Sequence, residues 1–382
     1  MANKIRMGMV GGGPGAFIGA IHRMAAEMTG DIELVAGAFS RDAAASKAFG
    51  VELGLDPDRA YGSFDEMFAA EAALPEDQRM QCVAIVTPND SHKPITCAAL
   101  AAGFHVMCDK PAAGNLEDAL EMEKAVAGSG LLFGLTHTYT GYPLVMEARE
   151  RVARGDIGKV RRVAVSYLQD WMSREADNGS SKQATWRSDP ARSGESGAFG
   201  DIGTHAFNLV EFITGERFTE VAADMRAVVP GRSIDDDGQA MFRLAGGGVG
   251  LLSASQVCTG SINALKIEVY GDQASLFWFQ EQPNTLTIKR RGEPDQVLHA
   301  NTPYLGDTAQ SFARTPAGHP EGYIEAFSNL YAAFAEDLRA YPAMPESPRY
   351  ATIEDGVAAL RFIRASLNSS ANGSAWTTLG DL

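Results

Sequence analysis

The feature that most constrains this chain is a strand, a glycine-rich turn and a helix in immediate succession. IRMGMV (5–10) reads as a strand, GGGPGAFIG follows, and a helical pattern runs on to about Met28. IELVAGAF (32–39), CVAIVTP (82–88), HVMCDKP (105–111) and LLFGLTH (131–137) are further strand-like runs. HKPITCAALAAG and LEDALEMEKAVAGSG lie between them as helices. Strands alternating with helices of this length require crossover connections, and hence a parallel sheet wound on both faces.

The turn itself carries chemistry. Glycine lets the backbone approach a diphosphate, and the following helix offers unsatisfied N–H groups and the positive end of its dipole. Gly11-x-Gly13-x-x-Ala16 fits the dinucleotide fingerprint with alanine third, while Gly12, Gly15 and Gly19 leave the frame open. Gly11, Gly13, Pro14, Gly15, Ala16 and Phe17 are the expected cradle. At the tip of the second strand an acidic residue would hold a ribose 2′-hydroxyl. The tip is instead Phe39-Ser40-Arg41, with Asp42 one step on. Ser40 and Arg41 suit a 2′-phosphate, so the expected cofactor is NAD or NADP, with a lean to NADP. Lys110 stands at the carboxyl end of a sheet strand, where open α/β sheets bind ligands, and Pro111 biases it away from helical dihedrals. Cys108 reads as a small buried hydrophobe rather than a nucleophile.

The pattern changes after Tyr142. PLVMEARERVARGDIG is a helix with proline in its first turn and glycine at its end. KVRRVAVSYLQ alternates like a half-buried strand, and residues 168–200 read as a long polar loop of the kind that is often functional. VAADMRAVV, DDDGQAMFRL, GVGLLSASQV, NALKIEVYG, ASLFWF and NTLTIKR look like antiparallel strands, and 320–340 and 353–367 like helices. The expected fold is α/β: a Rossmann doubly wound parallel sheet over residues 1–138, then an α+β domain over 139–382 with a mainly antiparallel, open-faced sheet. The C-terminal helix is expected to pack back on the first domain. A sheet with one uncovered apolar face commonly pairs with another subunit, so a homo-oligomer, dimer or tetramer, is expected.

SGAFGDIGTHAFNLVEFITG (196–215) is the second unusual stretch. At about 100° per residue, Ile202, Ala206, Leu209, Val210 and Ile213 form an apolar stripe. Asp201, His205 and Asn208 form a narrow polar stripe on its flank, with Thr204 and Glu211 further round towards water. A polar stripe bordering a buried face is placed to line a cleft.

Three pieces, the glycine-rich turn, Asp109-Lys110-Pro111 and Gly200-Asp201-Ile202-Gly203-Thr204-His205, resemble the Gfo/Idh/MocA oxidoreductases, relatives of glucose–fructose oxidoreductase and inositol dehydrogenase. The likeness spans nearly the whole chain in order. Asp109 replaces that family's usual glutamate and keeps its charge. The resemblance implies that Lys110, Asp201 and His205 are catalytic, facing the nicotinamide and the reacting carbon. It sets Thr87, Pro88, Asn89, His92, Asp109 and Lys110 along the cofactor. It implies a sugar, sugar-derivative or cyclitol substrate and no metal.

Oxidising a secondary alcohol needs a hydride acceptor and a proton acceptor. A neutral histidine, with an unperturbed pKa of about 6.5, suits the second task at neutral pH, which points to His205 as general base. Asp201 can orient the imidazole or accept a bond from a second hydroxyl, and Lys110 can stabilise a developing alkoxide. Lys110 and His205 can also exchange roles. His137, Tyr139, Tyr167, Trp186 and Arg187, with Asp189 and Arg192, are candidate substrate contacts, each also readable as packing or surface loop. DDDG (235–238) suggests calcium but more simply a turn. The same residues would serve a redox-assisted glycosidase that recycles its cofactor. A non-catalytic cofactor-binding regulator has no evident need for the lysine and the Asp/His pair.

Composition narrows the partners. A formal net charge of −15 argues against general affinity for nucleic acid or anionic membrane. Hydrophobic residues at 45% and charged ones at 21% are ordinary for a globular chain of 382 residues, a length that suggests two domains. No window of about 18 apolar residues predicts a membrane span, and MANKIRMGMVGGG lacks the pattern of a secretion signal. Cys82, Cys97, Cys108 and Cys258 match no zinc or disulfide framework, and the expected location is the cytoplasm.

Overall fold

The computed structural model describes residues 4–173 and 194–380. They divide into two compact units, Met1–Thr138 with Phe327–Val357, and Tyr139–Ala326 with Ala358–Leu382.

The first unit is built on five parallel strands: β1 (Ile5–Gly11), β2 (Ile32–Ala38), β3 (Cys82–Val86), β4 (His105–Cys108) and β5 (Phe133–Leu135), in the order β2-β1-β3-β4-β5. Every residue of β3 and β4 is buried, as expected where helices cover both faces of a parallel sheet. Helices Phe17–Met28, Ala43–Glu52, Phe64–Ala73, His92–Ala101 and Leu116–Ser129 make the crossovers. The sequence reading passes over Ala43–Glu52 and Phe64–Ala73, although Asp42 and Ser63 cap them through the N–H groups of Ala45 and Glu66.

The expected second domain, 139–382, is interrupted. Phe327–Val357 returns to the first unit, where the Leu135 N–H donates to the Ala351 carbonyl at 2.7 Å and Tyr331 meets His22. The helix Ile353–Ala371 enters the first unit only with its opening residues; its remainder belongs to the second.

Among the described residues the second unit carries nine strands: β6 (Val160–Leu168), β7 (Phe218–Arg226), β8 (Asp237–Leu244), β9 (Val249–Ser255), β10 (Ala264–Gly271), β11 (Ala274–Phe279), β12 (Thr285–Arg290), β13 (Gln296–His299) and β14 (Thr377–Thr378). Their order is β13-β12-β11-β10-β6-β9-β8-β7-β14, antiparallel except for β6 beside β9. The short β14 pairs with β7, and the helix before it is tied to the same strand. Ser369 and Ser370 accept from the N–H groups of Ala223 and Met225. In β8, β9 and β10 buried and exposed residues alternate, so one face is covered and the other presents Met241, Val249 and Leu251. On the covered face lies helix Thr204–Thr214, where Phe207 meets Phe218 of β7 edge-on at 4.7 Å and stacks on Phe362 of the helix Ile353–Ala371 at 4.8 Å.

One buried group sets an acid limit on the first unit. His105 accepts from the Leu132 N–H at 2.9 Å, and burial holds its pKa down at about 4 against an ordinary 6.5. The unfolded chain takes up this proton near 6.5 and the folded one only near 4. The stability from neutral His105 is therefore complete above that upper value and is lost as pH falls through the lower one. The total is on the order of 3 kcal/mol. Urea unfolding from pH 7 to pH 4 is expected to show this decline, and His105→Gln, which keeps an acceptor for Leu132, is expected to make it shallower, leaving the share of buried His137. Parallel profiles for the two proteins would contradict the assignment.

Candidate active site

In the first unit the carboxyl ends of the strands build a cradle. Gly11, Gly12 and Gly15 have φ of +88°, +67° and +78°, the left-handed region that favours glycine. A Cβ at Gly13 would run into the Phe39 carbonyl. One at Gly12 would lie 2.8 Å from Gly19 Cα, and one at Gly19 would strike Gly12. The close helix–strand approach is thus made by Gly19, one of the glycines among which the sequence leaves the frame open. Ala16 precedes the helix Phe17–Met28, which has no side-chain cap and no acid in its first turn. Its leading N–H groups remain for an anionic ligand.

Thr87, just beyond β3, packs its methyl against the cradle, 2.7 Å from where a Gly11 Cβ would sit, and its hydroxyl is buried without a partner. A bare cradle, an uncapped helix and an orphaned hydroxyl together fit a dinucleotide diphosphate. At the tip of β2, Ser40 accepts from the Asp42 N–H and Asp42 accepts from Ala45, while Arg41 is exposed. Pro88 follows Thr87, and Asn89 is nearly buried. His92 does not line the cradle as expected. It is fully buried, with Nδ1 2.8 Å from the Pro111 carbonyl and Nε2 2.9 Å from that of Thr87. It ties the loop after β3 to the loop after β4 from behind.

Asp109 and Lys110 follow β4. The Asp109 carboxylate accepts from the Lys110 N–H at 2.9 Å and the Thr136 hydroxyl at 3.0 Å. Burial alone would raise its pKa, but His22, Lys110 and His92 reverse this and hold it below the usual range. His22 bonds Tyr331 at 2.6 Å, and its Nε2 lies 4.0 Å from Asp109, a gap that the family's longer glutamate would narrow. Lys110 is half-buried. His137 is buried, and burial together with the Lys110 charge pushes its pKa down to about 3, so it is neutral. Cys108 is fully buried, which raises its thiol pKa well above the ordinary value.

In the second unit, Asp201 does not lie on the α-helix. Phe199–Gly203 forms a π turn, in which the Thr204 N–H reaches back five residues to the Phe199 carbonyl, and His205 is the second residue of the α-helix beyond it. The expected stripe is also corrected. Thr204 is fully buried, donating to the Gly200 carbonyl, and Glu211 is buried against Arg217 and the Phe218 N–H. Neither faces water, because the sheet and a neighbouring helix enclose the helix on several sides. Asn208 is buried, and its Oδ1 has no hydrogen-bond partner.

Asp201 Oδ2 accepts from Gln256 Nε2 at 2.9 Å. His205, 8% exposed, packs edge-on to Tyr139 at 4.8 Å and near Tyr167 at 6.2 Å. The two phenols hydrogen-bond each other, Tyr167 donates to Asn263 Oδ1 at 2.6 Å, and Gln169 Nε2 donates to the same oxygen at 2.8 Å. Trp171 Nε1 donates to Gln169 Oε1 at 2.9 Å. Gln169, Trp171, Gln256 and Asn263 were not singled out in the sequence. Gln169 and Gln256 follow the parallel strands β6 and β9 directly, the one signal that could have found them. Amides and phenols both donate and accept, so this cluster can meet a hydroxylated ligand. The expected contacts Trp186 and Arg187, like Asp189 and Arg192, lie outside the described residues. Asp235 and Asp236 of the DDDG run spend their carboxylates on backbone N–H groups.

Residues 5–137 match an oxidoreductase family described by its NAD-binding Rossmann fold, and residues 145–277 match a GFO/IDH/MocA C-terminal domain. An inositol dehydrogenase homologue from Azotobacter vinelandii, solved with NAD+, is 37% identical with a TM-score of 0.94, over 99% of this chain and 98% of its own. A structure from the same source with NADH and myo-inositol is 36% identical with a TM-score of 0.91, again over 99% and 98%. The uncharacterized oxidoreductase YfiI of Bacillus subtilis (strain 168) is 32% identical, over 98% of this chain and 97% of that protein. The chain belongs to the Gfo/Idh/MocA family of oxidoreductases. Its first unit is the NAD-binding Rossmann domain of that family.

Proposed function

We propose that the protein is an NAD-dependent dehydrogenase that oxidises a secondary hydroxyl of a cyclitol or sugar. The observation that carries this reading is the pairing, in one chain, of a bare diphosphate cradle with an Asp201–His205 pair set in amides and phenols. The relative solved with NADH and myo-inositol supports the substrate class. NAD is preferred to NADP because the Azotobacter structures hold NAD+ and NADH, and the lean to NADP from Ser40 and Arg41 finds no support in them.

When bound, NAD supplies the hydride acceptor. His205 takes the hydroxyl proton, Asp201 orients a neighbouring hydroxyl or the imidazole, and Lys110 offsets the negative charge that develops on the substrate oxygen. Asp109 fixes the backbone at Lys110, and His92 fixes the loop behind it.

The test is a panel of cyclitols, sugars and glycosides with NAD+ and NADP+ supplied separately, followed at the reduced-nicotinamide absorbance. Steady NADH formation with a cyclitol or free sugar, and slower turnover with NADP+, is expected. Glycoside cleavage without net NADH, or cofactor binding without turnover across the panel, would overturn the reading.

A further inference from the structure

Ala198, the residue before the π turn that carries Asp201, gives it no side-chain cap. Ser196 Oγ accepts from the Gly200 N–H at 3.0 Å, and the other donors at the start of the turn are taken by a residue far along the chain. Asp235 Oδ1 accepts from Ser196 Oγ and the Gly197 N–H, both at 2.8 Å, and Oδ2 accepts from the Phe199 N–H at 2.9 Å. The Asp235 carbonyl accepts from Ala198 at 2.9 Å, and the turn then closes locally through Asp201 N–H to Gly197 carbonyl at 2.8 Å. There is no slack around these bonds. A Cβ at Gly197 would strike the Asp235 carbonyl, and one at Gly238 would strike the Phe199 ring.

The other end of Asp201 is held from the neighbouring residue. Gln256, which donates to the Asp201 carboxylate, has its own N–H bound to the Asp236 carbonyl at 2.9 Å. The backbone and the carboxylate of Asp201 are thus both referenced to two consecutive residues leading into β8.

We propose that Asp235 is a positioning residue, fixing Asp201 through the backbone of the π turn. This rests on the catalytic reading of Asp201 above. Taking these bonds from a residue that leads into β8 ties the turn to the sheet, which a reaction sensitive to displacements of about 1 Å requires.

Asp235→Asn keeps the shape but replaces one accepting oxygen with a donor. It is expected to lower kcat roughly 10- to 100-fold, with KM changed little and NAD+ affinity unchanged. Amide exchange across Gly197–Gly203 is expected to quicken. In an Asp201→Asn background the same change is expected to cost no more than about twofold, because the group it positions is already disabled. Ser196→Ala removes one of the three donors to Asp235 together with the acceptor of the Gly200 N–H, is expected to give a smaller loss of the same kind, and carries the comparison if Asp235→Asn does not fold. Wild-type kcat in the variant, or an equal loss in both backgrounds, would overturn the proposal. If Asp201→Asn itself turns over normally, the catalytic reading of Asp201 fails. Exchange across the turn then decides the tether: quickening keeps it and unchanged protection overturns it.

Discussion

Changing His205 to alanine is expected to slow turnover by roughly 10²- to 10⁴-fold, the usual cost of losing a general acid–base group, and to leave NAD+ binding unchanged. The ring is nearly buried, edge-on to Tyr139, so alanine also leaves a cavity. His205→Gln separates the two effects, since it fills much of the space but cannot accept the proton. Equal losses in both variants attribute the effect to proton transfer, and recovery in the glutamine variant attributes it to packing. Turnover near the parent value in a folded alanine variant removes the histidine from its role.

Lys110→Met is expected to lower kcat/KM by roughly 10²- to 10³-fold, the cost of removing one group that stabilises a developing oxyanion. Methionine keeps most of the stem and removes only the ammonium. The substitution carries a second readout that does not depend on activity. The Lys110 charge is one of the forces holding His137 down at about 3, so the His137 ring is expected to titrate at higher pH in the variant, as followed by NMR. Parent-like kcat/KM would dismiss the lysine from the chemistry. An unmoved His137 would show that its charge is not felt there.

Much of the frame is legible along the chain because it depends on local pattern. Buried parallel strands are continuous apolar runs, and the open-faced sheet alternates, so the two architectures separate by eye. Gly11 to Gly19 stands out because only glycine tolerates the positive φ and the close approach found there. Asp201 lies in a π turn that leads into the α-helix, and local spacing does not distinguish the two. The start of that turn is anchored by hydrogen bonds to Asp235, which lies 34 positions later than Asp201 in the sequence. The supposed outward face of Thr204 and Glu211 was wrong, because the elements that cover it come from elsewhere in the chain.

By itself, then, the sequence determined most of the element types and the phosphate-binding turn, which follow from spacing and residue chemistry within short windows, and it marked Lys110, Asp201 and His205, whose catalytic roles are what the family resemblance implies. Only the tertiary structure decided which glycine meets Gly12, that His92 clamps loops instead of lining the cradle, and that Phe327–Val357 returns to the first unit. It also decided that Gln169, Gln256 and Asn263 gather near His205 and Asp201. Each of these is a contact between segments far apart in sequence, and no local periodicity encodes which distant backbone or amide will satisfy a buried polar group.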